Sequence, residues 1–243
     1  MSIDKDNIKI HYLGHSTFIL QADDGTRFIV DPWLDLNPQC PEELKSPENI
    51  HYILITHGHF DHMGDVAKVF YNNKDPKIVS NFEICAWIDK KDKAFEKSTM
   101  PMAQGGTQNL DGTKVTMVNA IHGSGIAADG SQNLVYGGIA SGYIVQFSNG
   151  FTIYIAGDTG VFSDMKLIAE IYSPDLAILP IGDNFTMGPV EGFHACKMLN
   201  AKHIIPCHYG TFPVLVGDPN VFKELVEKEL DSKVYILKPG DEL

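Results

Sequence analysis

Four side chains that can bind a metal ion lie within six residues of this sequence. They form the pattern His-x-His-x-Asp-His, and they are His57, His59, Asp61 and His62. The apolar run at residues 52–55 predicts a buried strand before them, and Val66, Val69 and Phe70 recur at helical spacing after them. Zinc, manganese and iron suit a mixed set of imidazole and carboxylate ligands at this density, whereas calcium and magnesium prefer a set made of oxygen ligands alone. The sequence therefore favours a metal site on a strand-to-helix loop over a histidine-rich surface turn.

Four further residues with metal-binding side chains each follow an apolar, strand-like run. They are Asp31, His122, Asp158 and His208. For each one alone, capping a turn is as good an interpretation as binding a metal. Sheets in α/β proteins place their sites just beyond the ends of strands, so these residues combined with the histidine run favour one shared metal site.

The composition describes one acidic globular domain. The chain has 243 residues, 44% hydrophobic and 21% charged, and we expect a single α/β domain over residues 1–243. The net charge is −12 and the 19 Lys and Arg residues form no run, which argues against nucleic acid as a partner. Bound divalent ions would offset part of this charge locally, so an anionic small molecule stays open as a substrate. A homo-oligomer also stays open.

Location and redox state follow from two observations. The first residues have no apolar signal core, and no stretch approaches the roughly 20 apolar residues that span a bilayer, so we expect a cytoplasmic protein without a membrane partner. The four cysteines include no CxxC pair, which predicts reduced thiols. Cys207 precedes His208 in a strand-like run, so it is expected to face the core while His208 faces the site.

The order of predicted elements divides the chain into two similar halves. Each half begins with a β-hairpin, around residues 23–26 and 148–150, and continues with alternating helices and strands. Ser80 and Glu83 have capping-box spacing before a helix that reaches about Lys91. Two such halves predict two packed sheets with helices outside.

On these motifs the chain resembles the metallo-β-lactamase-fold hydrolases over nearly its full length. The order of Asp31, the histidine run, His122, Asp158 and His208 matches the order of the family's motifs. Within that superfamily the chain is most similar to uncharacterised predicted metal-dependent hydrolases related to ascorbate-6-phosphate lactonases. The closer match is carried by Leu13-Gly14-His15-Ser16, Asp31-Pro32-Trp33, residues 183–189 and residues 206–211. The resemblance implies a four-layer αββα sandwich with metals at the edge where the sheets meet.

The resemblance also implies a set of ligands for each of two divalent metal ions. Zn²⁺ is the favoured metal, and Mn²⁺ and Fe²⁺ are the alternatives. Asp158 is expected to bridge the ions, and Asp31 is expected to orient a ligand or its loop without binding metal. The remaining ligands divide into two sets, which are His57, His59 and His122 for one ion, and Asp61, His62 and His208 for the other.

The activity that the resemblance implies is hydrolysis. A hydroxide shared by the two ions would attack a small ester-like substrate, with a lactone or a phosphoester favoured. Asp61 is expected to accept a proton while it stays a ligand, and His15 either contacts the substrate or supports a ligand. The loop residues expected to orient the substrate are Ser124, Thr186 and Tyr209. His194, in the middle of a helix, is interpreted as a partly exposed surface residue.

An iron-dependent oxygenase or redox enzyme is the alternative on the same fold. The diiron flavoprotein branch typically has Glu at the position of His59, so His59 argues against that branch. Persulfide dioxygenases keep the whole motif and use one iron, so this second form of the alternative stays open.

Overall fold

Two β-sheets packed face to face form the centre of the molecule. The computed structural model describes residues 8–127 and 133–243. Within these ranges it has a six-stranded sheet, a seven-stranded sheet and a separate two-stranded ribbon. The linker at residues 103–106 joins the two sheets, so each half of the chain builds one of them.

The first half forms the six-stranded sheet, whose strands lie side by side in chain order. Strands β1, β2 and β3 pair antiparallel, and β3 to β6 pair parallel. Short helices connect the parallel strands because a parallel pair needs a crossover. The elements are β1 (Lys9–Gly14), β2 (Thr17–Gln21), β3 (Arg27–Val30), a 3₁₀-helix (Glu42–Leu44), β4 (Tyr52–Leu54), α1 (Phe60–Met63), α2 (Val66–Asn72), β5 (Lys77–Asn81), α3 (Phe82–Asp89) and β6 (Thr99–Met102).

The second half forms the seven-stranded sheet and the ribbon. The elements are β7 (Thr107–Leu110), β8 (Thr113–Asn119), β9 (Gly125–Ala127), β10 (Leu134–Tyr136), β11 (Ser141–Gln146), β12 (Thr152–Ile155), α4 (Met165–Tyr172), β13 (Leu176–Pro180), α5 (Pro189–Leu199), β14 (His203–Cys207), α6 (Pro219–Glu229) and β15 (Lys233–Val234). The sheet order is β15-β14-β13-β12-β11-β8-β7, and β9 pairs with β10 in the ribbon.

Three apolar layers hold these elements together. The inner faces of both sheets share one core, which includes Phe28, Tyr143 and Cys207. A second core fills the space between the second sheet and helices α4 to α6, and a third lies between the first sheet and helices α2 and α3. The layers are therefore helix, sheet, sheet, helix, which confirms the predicted αββα sandwich and the core position of Cys207.

The strand directions bring the polar residues of both halves to one edge. In the first sheet β1, β3 and β4 run the same way, because β1 and β3 are both antiparallel to β2 and β4 is parallel to β3. In the second sheet β8, β12 and β14 run the same way, because β8 and β12 are both antiparallel to β11. The residues that follow these six strands thus meet where the sheets pack.

Some local predictions differ from the structure. The cap of α3 is Asn81, whose side chain accepts a hydrogen bond from the backbone N–H of Ile84, so the predicted capping box at Ser80 is wrong. Ser80 lies within β5, and its hydroxyl donates to the carbonyl of Ile55. Across residues 8–127 and 133–243, no helix has the length and apolar character needed to cross a membrane.

Candidate metal centre

Asp158 lies at the centre of a group of four histidines. Its Oδ2 is 3.0 Å from His208 Nε2, 3.4 Å from His62 Nε2, 3.5 Å from His122 Nε2 and 3.9 Å from His57 Nε2. The carboxylate is almost completely buried. One side chain of the second half therefore lies close to histidines from both halves of the chain.

The other two expected ligands complete two groups around Asp158. His59 Nδ1 lies 3.0 Å from His57 Nε2 and 3.3 Å from His122 Nε2, while Asp61 Oδ2 lies 3.9 Å from His208 Nε2. The structure thus brings all seven expected ligands together. Three sets of donor atoms are close enough to share an ion, and they are His57, His59 and His122; His57, His62 and Asp158; and His15, Asp61, His62 and His208.

The donor set fits divalent cations. Bonds of about 2.0–2.1 Å in a tetrahedral site place neighbouring donors about 3.3 Å apart, and the distances above scatter around that value. In the described part of the chain, His62 Nε2 and Asp158 Oδ1 are buried without a hydrogen-bond partner. Buried polar atoms are rarely left in this state, and a bound cation would satisfy both.

Asp31 supports two of the expected ligands. Its Oδ1 accepts from the backbone N–H of Thr56, and its Oδ2 accepts from the Thr56 hydroxyl at 2.7 Å and lies 2.8 Å from His62 Nδ1. The Thr56 hydroxyl in turn lies 3.0 Å from His57 Nδ1. A carboxylate that accepts the Nδ1 proton of a histidine fixes the ring so that Nε2 faces the metal.

Burial and charge set the protonation of the cluster. Burial raises the pKa of Asp158, but His208 and His62 outweigh this effect and hold the pKa well below its ordinary value. Burial lowers the pKa of His57 well below its ordinary value. For His62 burial lowers the pKa, and the carboxylates of Asp158 and Asp31 reverse this and hold it well above the ordinary value. A metal that binds His62 must therefore displace a proton.

His15 lies behind Asp61. Its side chain is completely buried, with Nε2 3.1 Å from Asp61 Oδ2 and Nδ1 2.9 Å from Thr211 Oγ1. Burial lowers the pKa of His15 to about 4, so the ring is neutral and carries one proton. Because a carboxylate can only accept, Nε2–H donates to Asp61 and Nδ1 accepts from Thr211. Burial raises the pKa of Asp61, but the hydrogen bond from His15 and the charge of His62 together outweigh this effect, hold the pKa below its ordinary value and keep the carboxyl group ionised.

Three of these residues have left-handed backbone conformations directly after a strand. The φ angles are +57° at His15, +48° at Asp31 and +57° at His208. Such a conformation costs a residue other than glycine about 1–3 kcal/mol, and it is concentrated at functional sites. The backbone turns sharply at these positions and directs each side chain towards the cluster.

A cleft of about 230 Å³ opens above the donors. Phe60 and Phe185 form an apolar part of its wall. These two residues are 54% and 58% exposed. No lysine or arginine is among the described residues that line it. The complete lining is His59, Phe60, Asp61, His122, Asp158, Phe185 and His208.

Known proteins that share 34–46% of their sequence with this chain include several metal-dependent hydrolases. Residues 26–209 match the family model described as a beta-lactamase superfamily domain. A metal-dependent hydrolase of Rubrobacter xylanophilus is 46% identical over 97% of this chain and 96% of its own length, and one of Koribacter versatilis is 45% identical over 98% and 99%. The chain belongs to the metallo-β-lactamase superfamily. Within that superfamily, the structure of Igni18, a metallo hydrolase of Ignicoccus hospitalis, is 34% identical, covers 97% of both chains and has a TM-score of 0.83.

These matches confirm the predicted membership of the metallo-β-lactamase superfamily and, at the level of the family, the predicted class of metal-dependent hydrolase. The three expected substrate residues lie outside the cleft lining. Ser124 holds the ribbon to the metal loop, because its hydroxyl accepts from Gly58 N–H and donates to the carbonyl of Gly137. Thr186 Oγ1 donates to the carbonyl of Met187 at 3.4 Å, and the Tyr209 ring packs against the second core. His194 is exposed on α5, as expected.

Other residues of the site were not predicted from the sequence. Thr56 connects Asp31 to His57, and Thr211 holds His15. Gln39 accepts from the backbone N–H of His15 and donates to the carbonyl of Tyr209. Their sequence positions beside the histidine motifs are the only signal that points to Thr56 and Thr211, and Gln39 has no such signal.

Proposed function

We propose that this member of the metallo-β-lactamase superfamily hydrolyses a small ester-like substrate, a lactone or a phosphoester, with two divalent metal ions. The observation that carries this proposal is the convergence of seven His and Asp side chains into groups that meet at the buried carboxylate of Asp158. A cytoplasmic location, a single domain over residues 1–243 and a small-molecule partner stay predictions from the sequence.

The proposed ligand roles are those that the sequence resemblance implies, and the distances around Asp158 support them. His57, His59 and His122 would hold one ion, and Asp158 would contact both. Asp61, His62 and His208 would hold the other ion. We propose Zn²⁺ as the metal, with Mn²⁺ or Fe²⁺ as alternatives, because imidazole and carboxylate donors suit all three. When bound, such a pair lowers the pKa of a shared water and polarises the oxygen of a carbonyl or phosphoryl group.

The chain's own residues would orient the reaction and move its proton. Asp61 lines the cleft and is ionised, so it can accept a proton and pass it to the leaving group. His15 acts through Asp61 as a positioning residue, because it is buried and has no path to a substrate. The rings of Phe60 and Phe185 keep water away from the substrate at the mouth of the cleft.

A metal titration tests the two-ion proposal. Elemental analysis of the metal-loaded protein should approach two equivalents per chain, and His208→Ala should bind less than the parent. A protein that saturates at one equivalent, with His208→Ala unchanged, contradicts two ions.

A substrate screen tests the reaction class. Lactones, phosphoesters and thioesters are offered to protein loaded with zinc or manganese, and we expect turnover of at least one class. Asp61→Asn serves as the matched variant and should lose turnover at full metal occupancy. Activity that requires oxygen and ferrous iron, with none on any ester, would show that the chain is an oxygenase and not a hydrolase.

A further inference from the structure

An apolar cavity of about 390 Å³ lies directly against the metal loop. Gly58 and Phe60, the two positions within the His-x-His-x-Asp-His run that carry no ligand, both line it. The same loop therefore presents its ligands to the metal cleft and its two remaining residues to this cavity.

The walls of the cavity are hydrophobic and come from three elements of the first half and from the ribbon. Met63, Val66, Ile88 and Ile126 are buried there. Lys91 is the single charged residue among the described residues of the lining, and its ammonium group lies 4.5 Å from the centre of the Trp87 ring. The volume lies in the range of about 300–1,000 Å³ that is typical of small-molecule sites. The chemistry of the cavity suits an uncharged alkyl or aryl group.

Phe60 connects the cavity to the metal cleft. Its ring lines both, and it is 54% exposed although most large apolar side chains of the first half are buried. A ligand that reached from the cleft into the cavity would cover this ring. Since burial of apolar surface stabilises a complex, such a ligand would gain affinity from the cavity that a compact polar ligand cannot gain.

The charges of the residues around the cleft also favour an uncharged substrate. The described residues that line it offer a phosphate group no lysine or arginine, so a phosphorylated substrate would depend on the metals alone for positive charge. A carboxylic ester needs no such cation. Binding energy from a remote apolar group can in addition orient the reacting bond.

We infer that the substrate is a carboxylic ester or lactone with an apolar substituent of medium length, which occupies the cavity behind Phe60 while the reacting carbonyl lies in the metal cleft. This inference rests on the proposed function, because it names the class of ester that the site takes. Ala67 is an exposed residue at the edge of the cavity, so a larger side chain there fills the cavity without entering the core.

Binding of methyl ketones tests the cavity without hydrolysis. The metal-loaded protein is titrated with 2-pentanone, 2-heptanone and 2-nonanone by calorimetry, and the affinity should rise about fourfold with each methylene. The gain should disappear in Ala67→Trp and persist in Ala103→Trp, a matched change at an exposed position outside the cavity. A melting temperature close to the parent's shows that Ala67→Trp is folded, and the smaller Ala67→Leu repeats the test with less risk to folding.

Hydrolysis of nitrophenyl esters separates this inference from the proposed function. For the parent, kcat/KM should rise from the acetate to the octanoate, and Ala67→Trp should reduce the octanoate-to-acetate ratio. Ketone affinities that do not depend on chain length overturn the apolar subsite, even if esters are hydrolysed. Ketone affinities that rise with chain length, in a protein that hydrolyses no ester, support the cavity as an apolar binding site and contradict the proposed reaction.

Discussion

Asp31 shows how one buried carboxylate can determine the orientation of two expected ligands. It receives hydrogen bonds from the backbone and hydroxyl of Thr56 and lies 2.8 Å from His62 Nδ1. Three donors thus converge on two oxygens. An amide at this position has only one oxygen, and its NH₂ group would face a donor.

Asp31→Asn should therefore weaken metal binding. We expect the affinity to fall about 10- to 100-fold, which is typical when the partner of a ligating histidine is lost. Competition with a chromophoric chelator measures it. Asp65→Asn is the matched control, because Asp65 is also buried but accepts from the backbone N–H groups of Leu34 and Asp35, away from the donors. Equal metal affinity in Asp31→Asn and the parent would contradict this role.

His15 offers a second test at the scale of one residue. His15→Ala removes the proton donor to Asp61, so we expect kcat to fall about 10- to 100-fold while KM changes little. His15→Gln keeps an amide N–H and should restore part of kcat. Metal content is measured for each variant, so that a lost ion is not mistaken for a lost hydrogen bond. Full activity of His15→Ala at full metal occupancy would show that Asp61 does not need this donor.

At the scale of elements, Asn81 joins helix α3 to the segment after the ribbon. Its side-chain oxygen accepts from Ile84 N–H, and its NH₂ group donates to the carbonyls of Gly137 and Ile139. A single residue thus caps the helix beside the cavity and holds the chain that leads away from β10.

Asn81→Ala should destabilise the protein by about 2–4 kcal/mol, because it removes a helix cap worth about 1 kcal/mol and two hydrogen bonds worth about 0.5–1.5 kcal/mol each. Urea unfolding measures the change. Asn81→Asp keeps the acceptor and loses the two donors, so it separates the cap from the tie to the ribbon. A loss below about 0.5 kcal/mol in Asn81→Ala would show that water replaces these bonds.

The elements that the sequence predicts well are those with a strong local pattern. The hairpin around residues 23–26 and helix α5 follow from turn residues and apolar spacing. Strands β6, β7, β9 and β10 have only three or four residues each, and β10 is exposed along its whole length, so no apolar pattern marks them. Ser80 matched a cap motif, but a tertiary hydrogen bond to Ile55 holds it in a strand.

The same distinction applies to the site. The expected ligands can be identified in the sequence because metal chemistry needs particular residue types at the ends of strands. The contact of His15 with both Asp61 and Thr211 joins residues 46 and 196 positions apart, and no spacing rule predicts it. The role that we infer for Phe60 depends on the neighbouring cavity, part of which is formed by Ile126 and Ala127 of the ribbon, and no local pattern predicts that contact.

At the scale of the whole molecule, the candidate metal site joins the two sheets. The first half supplies the expected ligands of the histidine run, and the second half supplies His122, Asp158 and His208. An ion bound between them favours the folded state, since the unfolded chain cannot bring these donors together.

Removal of the metal should therefore lower the melting temperature. At a free metal concentration of about 1,000 times Kd, binding contributes about 4 kcal/mol, which corresponds to about 8–16 °C for a chain of this length. Calorimetry with and without a chelator measures the shift, and added metal should reverse it. Asp158→Ala should lose most of the shift in melting temperature. If the melting temperature of the parent protein were the same with and without the chelator, this would contradict a bound metal.

The exposed linker at residues 103–106 has a further consequence for engineering. It is the short covalent connection between a half that carries the histidine run and a half that carries the other three expected ligands. If the chain were divided there and the two fragments were produced separately, each would present one face of the inner core and an incomplete set of donors. Divalent metal would then favour their reassembly, and the pair would behave as a split protein whose association reports the metal concentration.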